Sequence, residues 1–483
     1  MDFISIKFAV FVMLALTAFS VCPKARRMSV IMPFINLAFL ATFVTDLRQL
    51  APLGLFLAAG FVSIKMIERF PTRANMVAAL AAILAVFVYL KKYTFLSFVP
   101  ALPWPYLMVG LSYILFRVLH LAADIYGGAI KERISSTVFF NYTCSFLTFI
   151  AGPIQRYEEF AAQAEAAGEK AVSQDQAFSS FSRMLNGLLK IAILSPFLLA
   201  IHSEFLSRVA ETRYALTMQS AFITYVGASF FYTLYLYINF SGYMDVVISI
   251  GRFFGFDLPE NFNKPLSRSR SFLDLWSRWH MTLSDWFKFY VFNPLVKFMT
   301  YKRENPALIP YYAVAAFFVT FLLMGIWHGT SYSFVVFGLF LAFGTSVNKL
   351  YDIVMRRLVG KKAYGQLCDN GIYAAICSGL TFSYFSMGLT CLWLDFDRLI
   401  SLFSGLGIAG SAVIFILGGL LAAAIIVSYR ALTTIVSGMR RLIWRAAENF
   451  YLKQLGLSFK AFVLLLFVVS KLQTVPEFIY KAF

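Results

Sequence analysis

Apolar runs long enough to cross a bilayer follow one another along almost the whole of this 483-residue chain. A hydrocarbon core of ~30 Å takes about 20 apolar helical residues. Candidate spans read at 3–21, 29–46, 50–67, 75–93, 105–123, 137–153, 184–201, 217–238, 240–254, 307–327, 331–349, 371–393, 403–428 and 458–475. The runs are continuous rather than alternating, which excludes a transmembrane β-barrel. With 60% hydrophobic and 14% charged residues, and a mean hydropathy of +0.73, the chain is expected to be an all-α polytopic membrane protein. Several runs are half-length, so about eleven to fourteen transmembrane or re-entrant helices are expected. No internal repeat or low-complexity linker divides them, which predicts a single integral membrane domain over 1–483.

Charge narrows the partners. Lys plus Arg number 42 against 24 for Asp plus Glu, and the basic residues sit in short loops between spans. Cytoplasmic loops of membrane proteins carry such an excess. It also suits an acidic cytoplasmic partner, either a phosphate-bearing coenzyme or an acidic carrier protein. With no separate basic domain, nucleic acid is not a partner. The first apolar run is followed, not preceded, by Lys24, Arg26 and Arg27, so it reads as a retained first helix with its N-terminus outside the cytoplasm. The five cysteines show no Cys-x-x-Cys pair and no Cys/His metal spacing, so no metal or disulfide framework is expected.

Three stretches break the apolar pattern. Residues 154–183 are polar and read as a cytoplasmic loop or a short surface helix. Residues 430–457 set Arg430, Arg440, Arg441, Arg445 and Lys453 among apolar residues and read as a helix lying in the interface. Residues 255–300 mix Pro259, Pro265 and Pro294 with charges and aromatics. Irregular backbone at membrane depth is tolerated only where protein buries it or where it lines a wet cavity. Short, partly buried helices around a cavity are therefore expected there, with Asp274 and Arg278 paired at i, i+4.

Two histidines stand out against this background. His280 sits among Trp276, Trp279 and Trp286, and His328 sits between Trp327 and Gly329 at the end of a long apolar run. An ionisable group in such a setting is costly unless function retains it. Imidazole can take a proton from a hydroxyl and return it. A histidine that merely ties helices together is the competing reading for either residue alone; two such sites favour chemistry. Transfer of an acyl group to a hydroxyl needs a base at the attacking oxygen and a dry path. His328 fits the base. His280 fits a second proton-handling or positioning role.

Several blocks carry a resemblance. They are Asn239-Phe-Ser-Gly-Tyr-Met-Asp245, Gly255 to Pro265 (with Leu-Pro-Glu-Asn261-Phe-Asn263), and Phe272-Leu-Asp-Leu-Trp-Ser-Arg-Trp-His-Met-Thr-Leu-Ser284. Ile150-Ala-Gly-Pro-Ile-Gln-Arg-Tyr157, Gly325-Ile-Trp-His-Gly329 and a weaker Asp124-Ile-Tyr-Gly127 keep the same order. Together they resemble the membrane-bound O-acyltransferase (MBOAT) family, in the bacterial branch of alginate O-acetyltransferase and the teichoic-acid D-alanylation protein. The matched core covers about 110–350; residues 1–100 and 380–483 match less closely. His280 and Asp285 also make a His-x4-Asp pair, but the phosphate-binding block of glycerolipid acyltransferases is missing.

The resemblance implies a ring of helices around a central tunnel, with His328 and His280 as the catalytic pair. Trp279, Trp327, Ser284, Asn261, Asn263, Tyr243 and Asp245 are implied to contact substrate. His120 and His202 fall outside the matched positions and read as structural. Further implied are an acyl donor, acetyl-CoA or an acyl-carrier protein, used as substrate and not as a resident cofactor; a polysaccharide acceptor; a surrounding membrane lipid; and a bacterial cytoplasmic membrane location. Transfer would be direct or through an SGNH-type partner. Lys288-Phe-Tyr290 stands where alginate-type members carry an Arg-Asp-Tyr-like stretch, which leaves acetyl and D-alanyl donors both open. A transporter or export scaffold whose histidines only line a pathway is the non-enzymatic alternative.

Overall fold

The computed structural model describes residues 5–166, 173–211, 218–302, 305–444 and 450–470. Every extended element among them is a helix, and the one β contact is an isolated antiparallel bridge between Phe262 and Trp279. Among the described residues seven helical segments are long and apolar enough to cross a membrane: Leu47–Arg69, Arg73–Lys91, Gln174–Arg208, Ile309–His328, Tyr332–Leu358, Gly371–Leu392 and Phe396–Gly438. Ile6–Val21 and Gln454–Leu466 are shorter apolar helices. The chain is an all-α, multi-pass membrane protein. Its described residues divide into two compact units, those within 5–188 with 240–260, and those within 189–239 with 261–470.

In the first unit the helices run α1 (Ile6–Val21), α2 (Met32–Ala41), α3 (Ala51–Arg69), α4 (Arg73–Lys91), α5 (Leu111–Tyr126), α6 (Ser136–Thr143), α7 (Tyr157–Ala166) and α8 (Gln174–Leu189). The expected span at 137–153 is corrected here. Helix α6 ends at Thr143 after eight residues, and the buried stretch that follows is not helical until Tyr157. Its backbone is satisfied by a side chain instead. Arg117 of α5, 2% exposed, donates to the carbonyls of Tyr142 (2.9 Å), Thr143 (2.7 Å) and Thr148 (2.7 Å) and to Thr148 Oγ1 (2.6 Å). Carbonyls that no helix pairs are costly when dry, and a guanidinium with five donors satisfies several at once. His120 lies one turn on from Arg117 and meets Asp124 at 3.0 Å, so its reading as a structural residue stands on a partner.

In the second unit follow α9 (Ser195–Glu211), α10 (Met218–Phe253), α11 (Met281–Phe287), α12 (Ile309–His328), α13 (Tyr332–Leu358), α14 (Gly371–Gly388), α15 (Phe396–Trp444) and α16 (Phe450–Ser470). The two spans expected at 217–238 and 240–254 are one 36-residue helix, α10, whose last part belongs to the first unit. No proline interrupts it, and at 1.5 Å per residue it is about 54 Å long. A break at 430 is also absent: α15 runs on through Arg430, whose Nε donates to the Ser267 carbonyl at 2.7 Å. The only non-helical residue inside α15 is Gly407, at φ 63°. Arg445, part of the segment read as interfacial, lies outside the described residues. His202 is held by the Ala228 carbonyl at 2.9 Å.

Helices α12 and α13 form a hairpin that touches backbone to backbone. A Cβ on Gly325 would collide with Gly338 Cα, and one on Gly338 would come within 2.6 Å of the Leu322 carbonyl. Small residues at a helix crossing allow this approach. Here it is obligatory, because the opposing atoms are main chain.

Two substitutions test these contacts. Arg117→Met is expected to lower thermal stability in detergent, since each acceptor left dry costs about 1–3 kcal/mol. Gly338→Leu is expected to separate α12 from α13. Scanning fluorimetry and size-exclusion profiles should show both losses, whereas Gly365→Ala, at an open glycine, should leave them unchanged.

Candidate active site

Residues 255–300 are built as expected from short helices, but His280 lies on none of them. It is the residue before α11, with φ 45° and ψ 52°. A non-glycine residue in the left-handed region is strained and persists only where its surroundings fix it. The fixing contacts are visible. Met281 N–H donates to the Asn261 carbonyl (3.0 Å), Asn263 N–H to the Arg278 carbonyl (2.9 Å), and Ser284 N–H to the His280 carbonyl (3.0 Å). Arg278 pairs with Asp274 at 2.9 Å, as the i, i+4 spacing predicted.

Asn261, fully buried, is the hub. Its Oδ1 accepts from Thr282 N–H (3.0 Å), from Thr282 Oγ1 (2.9 Å) and from His280 Nδ1 (3.4 Å). An amide oxygen only accepts, so the ring nitrogen facing it carries the hydrogen. Neutral His280 is therefore the Nδ1–H tautomer, with its basic lone pair on Nε2. Around it Trp279 packs on Phe262 (5.2 Å), Tyr237 (6.1 Å) and Phe385 (4.9 Å), and Trp276 packs on Phe321 (5.1 Å).

His328 closes α12 and is buried. Its Nδ1 lies 2.6 Å from the Met324 carbonyl, one turn back, which sets the same tautomer: Nδ1 donates and Nε2 is basic. Trp327 and Phe337 meet the ring edge-to-face at 4.9 and 5.6 Å. Gly325 lies one turn before His328, so the backbone contact with Gly338 sets its position.

The two histidines act on one another. His280 lies between the membrane-crossing segments. Burial first, and then the charge His328 would carry, push its pKa well below the ordinary imidazole range. Burial disfavours the charged ring. The pair accordingly takes up one proton more readily than two.

The remaining predicted site residues separate. Trp279, Trp327, Ser284 and Asn261 stand in the second unit beside the histidines; Ser284 Oγ reaches the Trp279 carbonyl at 3.4 Å. Asn263 is exposed, and so is Asp285, which leaves the His-x4-Asp pair without a buried acid. Tyr243 and Asp245 belong to the first unit. Tyr243 is buried, and Asp245 is bound by Arg183 Nε at 2.9 Å, whose guanidinium also forks onto Glu260. Among the described residues no cluster of three His, Cys, Asp or Glu side chains could hold a metal ion.

Sequence reasoning missed the Met324 carbonyl and Arg183. The i−4 spacing was a signal for the first. Arg183 carried none, because its partners lie 62 and 77 residues away.

A family model, described as "MBOAT, membrane-bound O-acyltransferase family", matches residues 128–388, more than half of the chain, and includes both histidines. The chain is 28% identical over 328 residues to the teichoic acid D-alanyltransferase of Bacillus subtilis, covering 66% of this chain and 80% of that protein. It is 28% identical over 237 residues to a probable alginate O-acetylase of Azotobacter vinelandii, covering 48% of this chain and 42% of that one. A teichoic acid D-alanyltransferase of Lacticaseibacillus rhamnosus is 29% identical over 48% of this chain and 56% of its own length. With the family model matched over more than half of its length and both buried histidines inside the match, the chain belongs to the membrane-bound O-acyltransferase family and is an O-acyltransferase.

Proposed function

We propose that the protein moves an acetyl group from a cytoplasmic thioester, acetyl-CoA, to hydroxyls of an envelope or exported polysaccharide, directly or through a partner protein in a bacterial cytoplasmic membrane. The observation that carries the reading is the pair of buried histidines, each with Nδ1 tied to an oxygen and Nε2 left basic. His328 Nε2 takes the proton of the acceptor hydroxyl as its oxygen attacks the thioester carbonyl. The tetrahedral adduct collapses with cleavage of the C–S bond, and the leaving thiolate takes the proton from the imidazolium. His280, kept neutral, positions a reactant or shares the proton. The apolar and aromatic walls exclude water as a competing acceptor.

One observation favours a second reading, D-alanyl transfer from an acidic carrier protein. The Bacillus D-alanyltransferase match covers 80% of that protein, against 42% for the Azotobacter alginate O-acetylase. Purified protein in proteoliposomes with radiolabelled acetyl-CoA, or with a D-alanyl carrier protein, separates the two. Acetyl turnover supports the first reading, and turnover on the carrier alone supports the second. Turnover on neither refutes both donor assignments.

His328→Ala is expected to abolish transfer in that assay while the protein stays folded, and His328→Gln to keep the fold through an amide hydrogen bond. His280→Ala should lower transfer by ~10²–10⁴-fold, the usual contribution of an acid–base group. A folded His328→Ala protein with wild-type turnover would remove the residue from the mechanism.

The lowered pKa of His280 sets a pH dependence. A depressed pKa keeps the ring neutral as pH falls through about 6.5, the ordinary histidine value. The ratio of wild-type to His280→Asn transfer should therefore hold constant through that pH and drop only below it. A ratio already falling above about pH 6.5 refutes the burial argument.

A further inference from the structure

We propose that Arg268, Arg270 and Arg430 bind the phosphate at the far end of the acyl donor's pantetheine arm, and that Trp276 donates to an amide carbonyl of that arm on its way to His328. The assignment rests on the thioester-donor reading above. It holds for either donor, because coenzyme A and an acyl-carrier protein present their thioester on the same phosphorylated arm. All four residues lie in the second unit. Arg430 of α15 is held by neutral oxygens, the Ser267 carbonyl (2.7 Å) and Ser378 Oγ (3.3 Å), which sets it within electrostatic reach of Arg268 and Arg270. Arg268 is exposed, and its guanidinium makes no hydrogen bond or ion pair among the described residues. Arg270 comes only within 4.0 Å of the exposed Asp369, and Asp274 is taken up by Arg278. Three guanidiniums thus stand together with one loose carboxylate between them. The Arg270 guanidinium also meets the Cys368 carbonyl (3.4 Å), so the cluster lies at the end of the unit that carries Arg356, Arg357, Lys361 and Lys362. The excess of Lys and Arg marks that end as cytoplasmic. It does not explain why three guanidiniums are held side by side, where like charges repel. A phosphate, with several charged oxygens, is the group that such a set recognises.

Distance selects the ligand. Helix α13 measures how far the cluster lies from the histidines. Leu273 N–H, just past Arg270, donates to Asn348 Oδ1 (3.0 Å), and the Phe337 ring meets the His328 ring (5.6 Å). At 1.5 Å per residue, Asn348 and Phe337 are ~16 Å apart along α13. The chain that joins phosphorus to sulfur in phosphopantetheine has the bonds of about four peptide units, which span ~15 Å when extended. A phosphate on the arginines therefore brings the thioester to His328. Trp276 lies between, closing the short helix Phe272–Trp276 that leads from Arg270 towards His280. It is 4% exposed and walled by Phe272, Phe321 and Phe385, and its indole N–H has no hydrogen-bond partner among the described residues. A dry donor left unpaired is costly. The pantetheine arm carries amides along its length, and one amide carbonyl passing Trp276 supplies the missing acceptor.

The test uses the full chain in phosphatidylcholine vesicles and follows binding of radiolabelled 4′-phosphopantetheine, with pantetheine, the same arm without its phosphate, as competitor. The wild type should prefer the phosphorylated arm by at least ~10-fold, the worth of one hydrogen bond to a charged group. Arg268→Gln combined with Arg270→Gln should abolish that preference. Arg268 bonds nothing and Arg270 only loosely, so the double variant keeps its fold, which a size-exclusion profile checks. Trp276→Phe should weaken both ligands by the same factor and leave their ratio unchanged. No phosphate preference in the wild type, or a preference that survives in the folded double variant, overturns the phosphate site. A Trp276→Phe protein that binds both arms as the wild type does overturns the indole contact. Glycerophosphoglycerol, the headgroup of an anionic lipid, should compete no better than inorganic phosphate; competition equal to that of 4′-phosphopantetheine assigns the arginines to lipid and overturns the proposal. The transfer assay keeps the two readings apart. If neither acetyl-CoA nor the carrier thioester turns over in the wild type, the thioester-donor reading falls and this assignment with it, whereas turnover without a phosphate preference overturns the assignment alone.

Discussion

A backbone amide in hydrocarbon must be paired, and the rest of this structure follows from how the chain meets that demand. Helices meet it along most of the length. Where the chain leaves helix among buried residues, one polar side chain meets it instead. In the first unit Arg117 gathers the carbonyls of Tyr142, Thr143 and Thr148. In the second, Asn261 takes the Thr282 N–H on its side chain and the Met281 N–H on its carbonyl. Both pins are buried, and both hold stretches inside the region that the family model matches.

The second pin also orients a ring. By accepting from Thr282 N–H, the Asn261 amide is oriented with its oxygen inward, and the same oxygen meets His280 Nδ1. The hydrogen bonding that fixes a strained left-handed backbone at His280 thus also fixes its tautomer. His328 reaches the same state by another route, through the Met324 carbonyl of its own helix. Two imidazoles with like tautomers, buried and mutually opposed to double protonation, make a site that handles one proton. That is the number an acyl transfer to a hydroxyl requires.

The site residues legible in the sequence were those whose chemistry is improbable for their surroundings. His280 and His328 stood out because polar groups in aromatic, apolar sequence are rare. Asn261 and Asp245 also stood out as polar residues in matched blocks, but sequence gave both the same role. Packing separated them: Asn261 holds a catalytic candidate, whereas Asp245 is bound by Arg183. The spans at 137–153 and around 239 were misjudged for a related reason. Hydropathy measures burial, and burial is shared by a helix and by a loop that an arginine pins.

The sequence by itself determined the membrane class, the helical backbone, the basic balance of its loops and the two histidines, because each depends on composition and local period alone. Tertiary structure decided which apolar run is a helix, which ring nitrogen is basic and where the chain packs main chain on main chain. Apart from the Met324 carbonyl that sets His328, those outcomes rest on partners on other elements: Tyr142, Thr143 and Thr148 for Arg117, Asn261 for His280, and Gly338 for Gly325. No local pattern encodes a hydrogen bond or a contact whose other half is supplied by a distant turn of the chain.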